Sequence, residues 1–134
     1  MKKVITFGVF DYFHLGHLRL FKRCKQYGDY LIVAVHDDDH VKINKPECVL
    51  YYSQEERMEM VSGIKCVDEV IFYTQVDETI KNIDFDILIV GPDQINPHFK
   101  KAIEYCNSIN KEVVVLPRTP NISSTDIKLC RNDK

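Results

Sequence analysis

The stretch VITFGVFDYFHLGH, residues 4–17, decides how this chain folds. Its apolar beginning, from Val4 to Phe7, predicts a buried strand, and Gly8 allows the chain to leave that strand at an unusual backbone angle. Apolar residues then recur at helical spacing from Leu18 onward, so a helix is predicted to follow. A buried strand that leads directly into a helix indicates the first unit of an α/β protein.

Two histidines at the start of this helix are the first candidates for chemistry. His14 and His17 are three residues apart, so both project from one face of the first turn. Unpaired backbone N–H groups and a partial positive charge make that end of a helix a site for anions. Gly16 leaves room for a phosphate to approach the backbone. The pair therefore suits a transition state that gathers charge on a phosphate; alternatively, the two histidines only cap the helix.

Strands and helices alternate along the rest of the chain. The predicted strands are Val4–Phe7, Tyr30–Val35, Glu69–Phe72, Asp86–Val90 and Val113–Leu116. The predicted helices are Leu15–Tyr27 ending at Gly28, one from the capping box at Ser53 to about Ile64, Asp77–Ile83 with Asp77 as its cap, one opened by Asn96-Pro97, and Ser123–Lys128. A long polar loop is predicted for His36–Glu47. This alternation predicts a single-domain, doubly wound, five-stranded parallel sheet.

Composition limits the classes of function. The chain has 134 residues, 45% of them hydrophobic, which is enough for one domain over residues 1–130 with a short tail at 131–134. A net charge of −2 argues against nucleic acid or an anionic membrane as a partner. Five scattered cysteines without a Cys-x-x-Cys pair favour reduced thiols and a cytoplasmic protein. The absence of an apolar run of ~20 residues argues against a membrane span.

Two motifs resemble those of a known family. Residues 6–17 resemble the signature of nucleotidyltransferases with a His-x-Gly-His motif, and Asp11 favours their cytidylyltransferase branch. The tract RTPNISST, residues 118–125, resembles the Arg-Thr-x-Gly-Ile-Ser-Thr-Thr motif of that branch, with Asn121 in place of glycine. From Met1 to about Lys128 the chain is similar to bacterial glycerol-3-phosphate cytidylyltransferases.

The resemblance implies a Rossmann-like sheet of strand order 3-2-1-4-5 and transfer of CMP from CTP to a small phosphorylated acceptor. Pyrophosphate is released, Mg²⁺ accompanies CTP, and the relatives suggest a homodimer. The implied catalytic residues are His14, His17, Lys45 and Arg118. The implied substrate-binding residues are Val9, Phe10, Asp11, Gly16, Arg57, Lys65, Asp68, Gly91, Asp93, Gln94, Thr119, Ile122, Ser123, Ser124 and Thr125.

Several of these residues have an alternative role. Asp11 either contacts substrate and helps to place Mg²⁺, or caps the turn before the first helix. Lys42 is an alternative to Lys45 for the lysine that covers the phosphates. Arg57 either binds phosphate or forms a surface ion pair with Glu55 or Glu59.

Other groups also have competing interpretations. Asp93 either faces the amino group of cytosine or caps a turn, and residues 118–125 either cradle phosphate or only begin a helix. The segment from His36 to His40 either holds a metal ion or is a polar loop. His98 and the cysteines are interpreted as structural or incidental.

Departures from the family pattern concern the acceptor. Lys65 stands where the relatives have arginine, and the segment Gln94–His98 lacks their tryptophan. These changes favour an acceptor other than glycerol 3-phosphate, such as a phosphorylated glutamine used in capsule synthesis; glycerol 3-phosphate is the alternative. An ATP-dependent adenylyltransferase and a non-catalytic nucleotide-binding protein are further alternatives. Asp93 and residues 118–125 argue against the first, and the intact His14–His17 motif argues against the second.

Overall fold

Five parallel strands form one sheet in the computed structural model, which describes residues 1–11, 13–44, 46–47, 49–91, 94 and 96–116. The strands are β1 (Lys3–Gly8), β2 (Tyr30–His36), β3 (Glu69–Tyr73), β4 (Ile87–Val90) and β5 (Glu112–Val115). Their order is β3-β2-β1-β4-β5, as the sequence analysis expects. In the register, Ile5 of β1 lies between Ile32 of β2 and Leu88 of β4. The predicted fold class is confirmed.

Helices cover both faces of the sheet. They are α1 (Leu15–Tyr27), α2 (Asp38–Asn44), α3 (Gln54–Ser62), α4 (Val76–Thr79) with a following 3₁₀ turn (Ile80–Asn82), and α5 (Pro97–Ser108). Phe21 of α1 and Val61 of α3 belong to the core on one face. Val76 of α4 and Phe99 of α5 belong to the core on the other. Among the described helices, none has the length and apolar character that a membrane span requires.

Alternation along β1 explains the two cores. Val4 packs toward α1 and α3, whereas Ile5 and Phe7 pack toward α4 and α5, and all three side chains are fully buried. Successive side chains of a strand point to opposite faces, so a strand covered on both sides is apolar at nearly every position. This explains why the apolar run in the sequence identified β1.

The predicted loop over His36–Glu47 is wrong in its first part. Strand β2 continues through His36, and helix α2 then runs from Asp38 to Asn44. Asp37 supports the helix start, because its carboxylate accepts a hydrogen bond from the His40 N–H at 3.3 Å. Only Val41 is buried in this helix. One buried apolar residue gives no helical periodicity, so the sequence pattern resembles that of a polar loop.

Several element ends also differ from the prediction. The capping box at Ser53 is confirmed, but α3 ends at Ser62. Asp77 does not cap α4, because Gln75 occupies the cap position and Asp77 lies inside the first turn. Gly28 ends α1 in an extended conformation, and a Cβ there would come within 2.6 Å of the Lys2 carbonyl oxygen. The predicted helix at residues 123–128 and the tail at residues 131–134 lie outside the described residues.

Candidate active site

An aromatic ring folded back on the strand holds the turn after β1. Phe10 has a φ of 57°, in the left-handed region that residues with a side chain rarely adopt. Its ring lies against Gly8, where an added Cβ would come within 2.6 Å of a ring carbon. Gly8 itself has no positive φ. Glycine is therefore required to make room for Phe10, which corrects the expected need for an unusual backbone angle.

His14 and His17 form a capping box at the start of α1. The Nδ1 atom of His14 accepts a hydrogen bond from the Gly16 N–H at 3.0 Å, and the Nδ1 atom of His17 accepts one from the His14 N–H at 3.2 Å. The two rings are stacked, with centroids 4.0 Å apart. A ring nitrogen that accepts a hydrogen bond carries no proton, so in each neutral ring the proton lies on Nε2. The histidines cap the helix, and each also has an Nε2–H donor to offer to a ligand.

Burial keeps both imidazoles neutral. It lowers the pKa of His14 below the ordinary value of 6.5. Burial, followed by the neighbouring His14, lowers the pKa of His17 to about 3. The rings of Phe10 and Phe13 lie 5.3 Å and 5.2 Å from the His17 ring, centroid to centroid, and contribute to this apolar setting. At neutral pH the pair therefore presents N–H donors to an anion without a full positive charge.

Asp11 ties the turn to the segment before α3. Its carboxylate oxygens accept hydrogen bonds from the backbone N–H groups of Tyr51 at 2.7 Å and Tyr52 at 3.0 Å, and the residue is buried. The expectation that Asp11 caps the turn before α1 is wrong, because His14 takes that position. A contact of Asp11 with substrate or Mg²⁺ stays a prediction.

Arg57 lies inside the protein at the carboxyl edge of the sheet. Its Nη1 group donates hydrogen bonds to the carbonyl oxygens of Val9 and His36, each at 2.8 Å. Its Nε group donates to the Tyr52 carbonyl at 3.2 Å, and its Nη2 group pairs with the Asp38 carboxylate at 2.5 Å. The guanidinium thus joins the turn after β1, the end of β2 and the segment before α3.

This placement corrects the ion pair that was expected for Arg57, whereas phosphate binding by Arg57 stays a prediction. The ion-pair partner is Asp38 instead of Glu55 or Glu59. The Arg57 side chain has 0% exposed surface, so in this structure it has no surface with which to contact a phosphate. Its contacts are those of a residue that positions the turn carrying the histidines.

Gln94 joins the ends of β1 and β4. Its Oε1 atom accepts a hydrogen bond from the Gly91 N–H at 3.0 Å, and its Nε2 group donates to the Phe7 carbonyl at 2.5 Å. The strand order reverses between β1 and β4, which is where open α/β sheets bind ligands. Substrate contacts of Gly91 and Gln94 stay predictions.

Lys65 and Asp68 lie at the opposite edge of the sheet. The Asp68 carboxylate accepts hydrogen bonds from the Leu31 N–H at 2.8 Å and from Lys25 Nζ at 2.5 Å. Leu31 is the second residue of β2, so this loop lies at the amino ends of the strands. Lys65 is exposed in the same loop. The structure therefore places Lys65 and Asp68 away from the carboxyl ends of the strands of this chain, and their expected contacts with substrate stay predictions.

The segment from His36 to His40 does not converge on one point. Asp37 pairs with His40, whose Nδ1 lies 2.8 Å from a carboxylate oxygen. The Nε2 atom of His36 lies 3.2 Å from the amide nitrogen of Asn44, and burial lowers the pKa of His36 to about 4. Across the described residues, no three His, Cys, Asp or Glu side chains form a group that could hold a metal ion. The metal alternative for this segment is therefore not supported.

Some predicted site residues lie outside the described residues, and their roles stay predictions: Lys45, Asp93, Arg118, Thr119, Ile122, Ser123, Ser124 and Thr125. Lys42, the alternative to Lys45, is exposed near the end of α2. It borders a shallow depression together with Tyr51 and Tyr52.

The sequence analysis missed a pair of residues near the end of β1. His98, in the first turn of α5, places its Nδ1 atom 2.9 Å from a carboxylate oxygen of Asp77 in α4. With His36 and Gln75, His98 borders a cavity. The pair joins two elements 21 residues apart, so no spacing pattern indicated it. The only signal was the departure from the family pattern at Gln94–His98.

The chain is similar to known proteins over most of its length. A family model described as cytidylyltransferase-like matches residues 5–129. A protein of Bacillus subtilis (strain 168) named glycerol-3-phosphate cytidylyltransferase is 40% identical, over 96% of this chain and 95% of its own length. One of the same name from Staphylococcus aureus is 37% identical, over 96% and 93%. A solved lipopolysaccharide core biosynthesis protein from Thermoplasma volcanium superposes with a TM-score of 0.73 at 28% identity, covering 89% of this chain and 97% of that one.

Proposed function

This chain belongs to the cytidylyltransferase-like family and is a CTP-dependent cytidylyltransferase, and on that premise we propose that its acceptor is glycerol 3-phosphate. The observation that carries the proposal is similarity over nearly the full length to two proteins of that name, at 40% and 37% identity. The histidine pair at the start of α1 supplies hydrogen-bond donors for phosphate oxygens, which such a transfer requires.

The structure weakens the reasons for expecting a different acceptor. Lys65 lies at the opposite end of the strands in this chain, so its departure from arginine is a weaker argument about the acceptor. Gln94 uses its amide to hold β1 and β4 together. Phosphorylated glutamine was the expected acceptor, and the relatives' names favour the alternative.

In the proposed reaction, an oxygen of the acceptor phosphate attacks the α-phosphorus of CTP. The bond from the α-phosphorus to the oxygen that bridges to the β-phosphate breaks, and pyrophosphate leaves with that electron pair. The phosphate attacks as an anion, so no protein base is needed. His14 and His17 donate Nε2–H groups to the phosphate oxygens on which charge accumulates.

Mg²⁺ is proposed to enter with CTP. The ion prefers oxygen ligands, and the triphosphate supplies them; it would neutralise charge on the leaving pyrophosphate. Asp11 is the residue that the sequence analysis offers as a protein ligand for Mg²⁺. Its carboxylate already accepts two backbone hydrogen bonds. We therefore assign the phosphates as the main ligands. Lys45 and Arg118 are proposed to add positive charge.

Initial rates of pyrophosphate release test the acceptor. CTP is supplied in excess, with glycerol 3-phosphate, phosphocholine or phosphorylated glutamine at equal concentrations, and a parallel series contains ATP in place of CTP. We expect the highest kcat/KM with CTP and glycerol 3-phosphate and little release with ATP. A higher kcat/KM with either other acceptor would overturn the proposed acceptor.

A further inference from the structure

A cavity of about 180 Å³ opens beside the end of β1, on the face covered by α4 and α5. Its wall includes Gly8, His36, Tyr73, Gln75, Asn96 and His98. A cavity of roughly 150 Å³ accommodates benzene, so this one has room for about six to eight non-hydrogen atoms. That is the size of a short acceptor tail without its phosphate.

The wall of this cavity is neutral. Among the described residues, no Lys, Arg, Asp or Glu lines it. Burial lowers the pKa of His36 to about 4, so this imidazole is uncharged at neutral pH. Tyr73 is also neutral, because burial raises the pKa of its hydroxyl. A carboxylate placed here would lose water without gaining a cation from the wall, whereas a hydroxyl can both donate and accept hydrogen bonds.

Most polar side chains of the wall are occupied by one another or by the backbone. The amides of Asn44 and Gln75 bond to each other at 3.0 Å and 3.3 Å. Asn96 Oδ1 accepts the Phe99 N–H at 3.0 Å, which caps α5. Gln94 binds the backbone through both polar atoms of its amide. These side chains hold the shape of the wall.

His98 differs from these side chains. Its Nδ1 atom faces the Asp77 carboxylate at 2.9 Å, and the Asp77 side chain is only 17% exposed. A carboxylate in that place accepts the Nδ1–H bond, which fixes the ring orientation and makes Nε2 of the neutral ring an acceptor. A ligand hydroxyl can then donate to Nε2.

We propose that this cavity, the tail pocket, binds the hydroxyl-bearing tail of the phosphorylated acceptor, with His98 as a specificity-determining contact and Asp77 as the residue that orients it. Gly8 lines the tail pocket and also begins the turn that leads to His14 and His17. A tail bound here therefore lies next to the segment that carries the histidines proposed to bind phosphate. The inference rests on the proposed function for the transfer itself, and it adds a specificity-determining residue and a requirement for a tail that carries a hydroxyl.

The test compares glycerol 3-phosphate with propyl phosphate, which lacks the hydroxyl groups. We expect His98→Ala to raise the KM for glycerol 3-phosphate about five- to twenty-fold, the effect of losing one hydrogen bond, and to leave the KM for CTP unchanged. The preference for glycerol 3-phosphate over propyl phosphate should fall by a similar factor. Asp77→Ala should act in the same direction with a smaller effect, and it replaces His98→Ala if that variant does not fold. Lys100→Ala, at an exposed position of the same helix, is the matched control and should leave all constants unchanged.

The outcomes separate this inference from the proposed function. An unchanged preference in both variants, with an active wild type, overturns the tail pocket and leaves the glycerol acceptor intact. If the wild type prefers a different phosphate ester with a neutral, hydroxyl-bearing tail, the glycerol acceptor is overturned. The tail pocket is supported in that case if His98→Ala weakens the use of that ester. Preferential use of phosphocholine or phosphorylated glutamine overturns both, because neither tail carries the hydroxyl that His98 is proposed to bind.

Discussion

The turn that carries the histidines (residues 8–17) and the tail pocket lie on opposite sides of the sheet at the end of β1, and they are built in different ways. In the turn, His14 and His17 bond to backbone groups of their own helix start. In the pocket, His98 depends on Asp77 from another helix. The proposed hydrogen-bond donors to phosphate are therefore fixed by local structure, whereas the proposed acceptor contact depends on the packing of α4 against α5.

The two regions also share a property. Burial lowers the pKa to about 3 for His17 in the turn and to about 4 for His36 in the pocket. Neutral imidazole therefore serves as an N–H donor on one side and as part of an uncharged wall on the other. Arg57 connects the two, because one of its nitrogen atoms donates to the carbonyl oxygens of both Val9 and His36.

The largest effect is expected at His17. His17→Ala removes a donor to the transition state, so kcat should fall roughly 10²- to 10³-fold. The variant also loses half of a capping box, which costs about 1 kcal/mol of stability. Initial rates of pyrophosphate release and a urea unfolding curve measure the two effects separately.

Ser53→Ala is the matched control for the loss of a cap. Ser53 belongs to the capping box of α3, so its variant should lose a similar free energy of unfolding and keep its turnover. If His17→Ala keeps near-normal turnover while folded, His17 has only the capping role. His17 would then have no part in the reaction, and the turn would differ from the pocket only in how it is built.

A smaller effect is expected at the residue that connects the regions. Arg57→Ala leaves the carbonyl oxygens of Val9, His36 and Tyr52 without their donor, so the free energy of unfolding should fall by about 2–4 kcal/mol. The urea midpoint measures this change. Arg19→Ala, at an exposed position of α1, should stay within about 0.5 kcal/mol of the wild type. An Arg57→Ala variant as stable as the control would show that the connection is not important for stability.

Local signals in the sequence predicted much of the fold and part of the site. The apolar run of β1, the bounds of α1 and the capping box at Ser53 each depend on residues close together in the chain, and all three are found in the structure. The interior position of Arg57 could not be predicted, because its four partners come from three separate segments. The position of Lys65 could not be predicted for a similar reason, since a motif identifies a residue without giving the end of the strands at which it lies.

The smallest effect per residue is expected for the two neutral histidines when the pH changes. In the unfolded chain each imidazole has its ordinary pKa of 6.5, whereas in the folded protein the values are about 3 for His17 and about 4 for His36. Between pH 7 and pH 5 the unfolded chain therefore binds protons that the folded protein does not. The free energy of unfolding should fall as pH falls, by at most about 1.4 kcal/mol per pH unit for each histidine. Above pH 7 these two groups should contribute no further change.

Urea unfolding at pH 7 and at pH 5 measures this loss in the wild type, in His17→Asn and in His36→Asn. Each variant removes one imidazole that stays unprotonated in the folded state. The free energy of unfolding should therefore differ less between pH 7 and pH 5 in both variants than in the wild type. If it shrinks for His36→Asn and not for His17→Asn, then His17 takes up a proton in the folded protein near the ordinary pKa. Its Nδ1 would then be unable to accept the His14 N–H, and the ring would offer the phosphate a positive charge. The turn and the pocket would in that case use histidine in opposite charge states, because only the pocket would keep its imidazole neutral.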